Sequence, residues 1–371
     1  MKIILLVGGA RAGIDLFQSL LDGHEQILQL PGGMHINDQL QKILSQNSKK
    51  KIAQAFIKQY PIFFDSRKMG VGVERHYMLG AKKNMFYKVD KKKFIKRFIN
   101  FSKNETLYKG DNLFQNFYLI HKAYDLNHDK KKKILIINVH ILPYVMNFEK
   151  FFKNIDYEII HTIRHPLSSV SSTVKNWLKY QNGIHFMAKD LFYNLDLIFF
   201  GIQKLKKLNK KLYVVQLEKI HQNVNSVMKC FCQIYDLKFL SSLKESTYHG
   251  LKWWGDIVSR RDLNGVNKNF KISYDLELFE EKDLFFIKNL MSNILKKYNY
   301  KIEITKKYFI HFMPLKCELI VWKNTIKNKL IKHILSIPYF YLKRILIFNK
   351  LFIKDILLPK SILLNKKKAS I

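Results

Sequence analysis

The stretch Val7-Gly8-Gly9-Ala10-Arg11-Ala12-Gly13-Ile14-Asp15 decides how the rest of the chain is read. Residues 3–7 before it are continuously apolar, as in a strand buried on both faces. Residues 16–22 after it carry apolar side chains at helical spacing. Strand, glycine-rich turn and helix together form a holder for an anion. Turn amides and the helix N-terminus point at the ligand, and glycine admits close approach. Arg11 adds a positive charge inside the turn.

Three kinds of anion site share that layout. A nucleotide-hydrolase loop places Lys and Ser/Thr after its second glycine. Gly8 and Gly13 have that spacing, but Ile14 and Asp15 follow. A dinucleotide fingerprint needs Gly-x-Gly-x-x-Gly, where this chain has Ala10 at the middle position. A turn with a basic residue, Arg11-Ala12-Gly13, fits the third kind. It resembles the 5′-phosphosulfate loop of sulfotransferases, and Leu20-Leu21-Asp22-Gly23-His24 resembles that family's continuation.

A second stretch carries the likeness further. Ile159-Ile160-His161-Thr162-Ile163-Arg164-His165-Pro166 reads as a strand ending in arginine, then a proline entering a helix that holds Ser172. Arginine at a strand's carboxyl end faces the ligand side of an open sheet. A planar guanidinium with a hydroxyl nearby suits a phosphate monoester. Arg164, Pro166 and Ser172 resemble the sulfotransferase 3′-phosphate motif, Arg-x-Pro-x5-Ser, in the family's usual order after the first loop. Less specific echoes are Glu218 after the strand 212–217, and Trp254-Gly255-Asp256, where the family has a loop closing over the nucleotide, with Arg260 or Arg261 after it.

The resemblance spans residues 1–300 and implies an α/β fold of P-loop-like sulfotransferase architecture. In it a central parallel sheet is flanked by helices. The implied donor is 3′-phosphoadenosine 5′-phosphosulfate (PAPS), with a hydroxyl or amine acceptor and no metal. The backbone of Gly9, Ala10, Arg11, Ala12, Gly13 and Ile14 would hold the 5′-phosphate, and Arg164 and Ser172 the 3′-phosphate. Arg11 would neutralise charge on the leaving group. Glu74 and Lys109 are the favoured candidates for deprotonating the acceptor, with His35 and His76 behind them. The chain departs from the family at Ile14 and Asp15, where two hydroxyl residues are usual. That departure leaves open a degenerate, non-catalytic binder; a nucleotide kinase is the less favoured alternative, since it needs a lysine where Ile14 stands.

Composition sets the remaining bounds. Lys+Arg 65 against Asp+Glu 29 gives a formal charge of +36 over 371 residues. Such an excess favours anionic partners such as a nucleotide, a sulfated glycan or a membrane surface, though solvated lysines explain much of it. No recognition motif for specific nucleic-acid binding is present. Three cysteines make no disulfide framework and fit a reducing, cytoplasmic setting. No signal peptide is recognised, and no apolar run approaches the roughly 18 residues of a spanning helix.

Strands are expected at 26–30, 134–139, 157–163 and 212–217. Helices are expected at 36–60, 91–101, 112–124, 167–180, 185–208, 224–235 and 276–298. The domain division is 1–304 for the α/β unit and 305–371 for a basic, mainly helical tail. From residue 319 onward 12 Lys/Arg stand against one acid, Asp355. Two readings of that tail follow: peripheral docking on an anionic membrane with a lipid-linked or carbohydrate acceptor, or packing on the α/β unit. Acceptor and oligomeric state are not legible.

Overall fold

The computed structural model describes residues 1–68, 79–105, 107, 108, 110–180, 186–255, 265–267, 269–274, 276–300, 312–328, 331–353, 360 and 362–364. Five strands, β1 (Lys2–Gly8), β2 (Ile27–Gln29), β3 (Ile134–His140), β4 (Glu158–Ile163) and β5 (Leu212–Gln216), form the sheet. Short strands β6 (Thr247–Tyr248) and β7 (Leu251–Lys252) make a separate hairpin, and β8 (Ile362–Leu363) returns to the sheet. The sheet order is β2-β3-β1-β4-β5-β8, with every pairing parallel. This is the expected α/β fold with a central parallel sheet.

The order explains where a site forms. β1 lies between β3 and β4, so the turn after β1 has the turns after β3 and β4 on either side. Crevices in open parallel sheets lie at such a switch point, outside the strands' carboxyl ends. Residues 3–7 are buried on both faces, and Gly8 pairs with Thr162. A Cβ on Gly8 would stand 2.6 Å from the Thr162 Oγ1, so glycine is what lets β1 and β4 run side by side there. Between β1 and β3 the register slips at Leu6/Val7, and Val7 faces His140.

The helices before β3 are α1 (Ile14–Ser19), α2 (Asp38–Leu44), α3 (Lys49–Gln59), α4 (Pro61–Phe64), α5 (Lys91–Asn104) and α6 (Asn112–Tyr124). The expected single helix at 36–60 is two. Ser48 accepts a hydrogen bond from the Lys51 amide and starts the second, while Pro61 opens a further turn. Phe56, Tyr60, Phe63, Phe64 and Phe94 stack into one aromatic core there.

After β3 come α7 (Leu142–Phe151), α8 (Pro166–Tyr180), α9 (Ala188–Leu205) and α10 (Leu217–Tyr235). The sequence reading did not foresee α7, which enters on Pro143. Helix α10 starts seven residues earlier than expected and kinks at Asn223. The helix expected at 276–298 is a short turn at 276–278 followed by α11 (Glu281–Leu290) and α12 (Ser292–Lys297).

The C-terminal region is helical: α13 (Lys316–Lys327), α14 (Ile331–Ile334) and α15 (Ile337–Ile353). The division drawn at 304/305 lies outside the described residues. Beyond it, Phe348 is fully buried against Phe199 and Phe200 of α9 and Phe286 of α11. Arg344 is also fully buried, its guanidinium bidentate on Glu318 and bonded to the Met313 carbonyl. All three cysteines are free thiols.

Candidate functional site

The loop between β1 and α1 is shaped by two left-handed residues, Arg11 (φ 58°) and Gly13 (φ 80°). Gly13 caps α1 without a side-chain hydrogen bond, so the first-turn amides have no side-chain acceptor there. A Cβ on Gly13 would meet Leu217 Cδ1 at 2.3 Å, while one on Gly9 would meet nothing within 4 Å. The loop is thus pressed against α10 on one side and open on another. Helix α1 is only six residues long. Its dipole is correspondingly small.

The loop is tied to the next turn. Ser169 Oγ donates to the Ala10 carbonyl, and Arg164 Nη1 reaches the Arg11 carbonyl at 3.5 Å. In a trans peptide the following N–H points opposite its carbonyl. With the Ala10 and Arg11 carbonyls drawn toward β4 and α8, the Arg11 amide faces away from them. The Ala12 amide turns back onto Gly9 O. Only about 20 Å³ remains enclosed between loop and turn, room for one water at most.

Arg164 and His165 sit under cover. The His165 amide donates to Glu218 Oε1 at 2.8 Å, and Tyr300 Oη donates to Glu218 Oε2 at 3.0 Å. Phe270 lies 5.8 Å from the Arg164 guanidinium and stacks on His221, while Tyr274 stacks on His165. Burial, then the Arg164 charge, brings His165 and His221 down to about 4, so both are neutral at pH 7. Burial raises the Glu218 carboxyl, opposed by the His165 amide, Tyr300 and Arg164. Beside this turn opens a cleft of about 640 Å³ lined by His165, Gln216, Glu218, Lys219, Tyr274 and Lys288.

On the other flank, β3 ends at His140, held left-handed (φ 61°) with its amide on Asn138 Oδ1 at 2.9 Å. Its Nδ1 stands 4.0 Å from Asp15 Oδ1. That is beyond hydrogen-bond length. Asn138 Nδ2 also approaches Asp15 Oδ1 at 3.4 Å. Asp15 is therefore turned to the β3 side, and Ile14 is buried in the core. His35 stacks on Tyr144 at 4.7 Å, and its pKa is lowered by burial and then by His140.

Of the residues foreseen from sequence, the fold brings together Gly9, Ala10, Arg11, Ala12, Gly13 and Arg164. Ile14 adjoins them through its backbone alone. Ser172 is on the second turn of α8, half-buried. It follows Ser169, which makes the loop contact, by three positions and shares its helix face. Glu74, Lys109, His76, Asp256, Arg260 and Arg261 lie outside the described residues. Trp254 donates to the Gly80 carbonyl at 2.6 Å, with Lys252 and Lys83 over its ring. Among the described residues Phe270 lies against the Arg164 guanidinium. Sequence reasoning missed His140, Ser169 and Phe270. A histidine closing a buried strand was the available signal, but only the parallel register opposite Val7 brings it beside the loop.

No family model and no curated protein matches the chain. Among solved structures, the crystal structure of sulfotransferase STF9 from Mycobacterium avium is similar at 10% identity and a TM-score of 0.41. The match covers 82% of this chain and 79% of that one.

Proposed function

We propose that the chain moves a sulfuryl group from PAPS to a hydroxyl or amine, on an acceptor whose identity is open. One observation supports this above the others. The two halves of the phosphate-binding signature, far apart in sequence, meet at the ends of adjacent strands, with the Arg164 guanidinium on the Arg11 carbonyl. The residues fit the donor's charge: two arginines and the glycine-loop amides. The family's loop hydroxyls are missing, but Asp15 faces His140 instead of standing bare at the loop.

The bound donor supplies the sulfuryl group and a phosphate that leaves. Arg11 and the loop amides hold and neutralise that phosphate end. Arg164 holds the second phosphate, and the cleft beside His165 receives the nucleoside. His140, whose ring stands 4.0 Å from the Asp15 carboxylate, offers a ring nitrogen to take the acceptor's proton. Glu74 and Lys109 were the sequence's candidates for that proton. His140 takes the role in this reading because it flanks the loop and has a carboxylate 4.0 Å away.

The test is a thermal-shift titration with adenosine 3′,5′-bisphosphate, beside ATP with magnesium. The bisphosphate raises the melting temperature, and Arg164→Ala weakens binding by about 10- to 100-fold, as loss of a charge-assisted contact should. No shift at saturation would sink the reading. A larger shift with magnesium ATP would favour a kinase.

A further inference from the structure

Helices α14 and α15 and the turn between them expose large apolar side chains: Ile331 (72% exposed), Leu335 (75%), Tyr339 (59%), Leu342 (57%) and Leu346 (70%). On α15 the last three recur at i, i+3 and i+7, one continuous stripe. The opposite face is locked down. Ile345, Phe348 and the Arg344–Glu318 pair are buried, and a bidentate buried arginine fixes which way the helix is rolled. The apolar stripe is therefore the side α15 turns outward, not a face awaiting the core.

Cations accompany it. Residues 316–353 contain eight Lys/Arg and a single acid, Glu318, which the Arg344 pair already engages. Lys332 and Lys350 are exposed at either end of the stripe, and Lys343 lies over the rings of Phe192 and Tyr339. No helix among the described residues is long and apolar enough to cross a membrane.

We propose that this face seats the protein on an anionic bilayer surface, with Tyr339, Leu342 and Leu346 below headgroup level and the lysines among the phosphates. An apolar stripe flanked by lysines is what a helix lying in the interface requires. A second copy is disfavoured as the occupant, because it would bring another +36 chain and the same unopposed lysines against this face. The inference goes beyond the transfer reaction and does not depend on it.

Sedimentation of the full chain with vesicles tests it. The protein should pellet with phosphatidylcholine vesicles containing phosphatidylglycerol, stay in solution with phosphatidylcholine alone, and be released as salt rises. Leu342→Glu with Leu346→Glu should weaken binding at least about tenfold. Both positions are exposed, so an unchanged melting temperature will certify the fold. Lys332→Gln with Lys350→Gln should flatten the salt dependence without touching the apolar stripe. The proposal is overturned if the anionic vesicles leave the protein in solution, or if the double glutamate variant binds undiminished. It is equally overturned if the chain is a dimer that the glutamates split. No nucleotide enters this assay, so it fails or succeeds apart from the bisphosphate titration.

Discussion

After β4 the chain turns through Arg164 and His165 beneath Phe270 and Tyr274, with Glu218 and Tyr300 bracing the backbone. After β3 it turns through His140, whose side chain is 34% exposed and whose partner Asp15 stands 4.0 Å off. Both turns flank the same glycine loop. One is braced and covered, which suits a fixed charge that must hold a ligand in one pose. The other is looser and reaches water, which suits a group that takes up a proton and gives it back. In the proposed function, binding and proton transfer fall on opposite sides of β1.

That division of labour can be broken by experiment. The largest effect is expected at His140. His140→Gln should lower the rate of sulfuryl transfer to a simple phenol by about 10²- to 10⁴-fold. Its bisphosphate thermal shift should stay intact. A variant that loses the shift as well would place His140 on the binding side and dissolve the contrast.

Next comes Gly13, in the loop that both turns flank. Gly13→Ala puts a Cβ 2.3 Å from Leu217 Cδ1 at a left-handed φ of 80°. Stability to urea should fall by about 1–3 kcal/mol. Adding Leu217→Ala should relieve the clash but not the backbone strain, and a double-mutant cycle separates the two. Strict additivity would mean the loop is not seated on α10 as described.

An effect no larger than that is expected at the brace. Glu218→Ala strands the His165 amide and the Tyr300 hydroxyl, a loss of about 1–3 kcal/mol in stability. It should also weaken bisphosphate binding by loosening Arg164, while Tyr300→Phe does less of both. Melting curves with and without bisphosphate measure the two together. A Glu218 variant that is destabilised yet binds as well as the parent would reduce the brace to ordinary packing.

The two flanks were unequally readable in the sequence. The loop and the Arg164–Pro166 turn are local patterns, because glycine, arginine and proline each constrain their own few residues. Sheet strands were likewise legible, since burial on both faces leaves continuous apolar runs such as Ile134–His140. The His140–Asp15 approach was not. It depends on a register slip between β1 and β3, and nothing local to either residue encodes that slip. Asp15, taken alone, looked like a like-charge fault beside an anion. The break at Ser45–Ser48 was missed for the opposite reason: apolar periodicity continued across it while two serines and an asparagine offered the backbone other partners. Helix α15 kept its direction hidden too, because which of its apolar faces turns inward is decided by a buried arginine whose partner is on α13.

Strand β8 pairs with β5 through Tyr213↔Ile362 and Val214↔Leu363, and the Leu364 amide extends the ladder to Val214. During synthesis β5 leaves the ribosome long before its outer neighbour exists. For that interval its unpaired amides and carbonyls are available to any other emerging chain. Nicking or truncation upstream of residue 362 would recreate the same bare edge in the finished protein. Cellular quality control would then meet an adhesive sheet, with the turns on either side of β1 still correctly built.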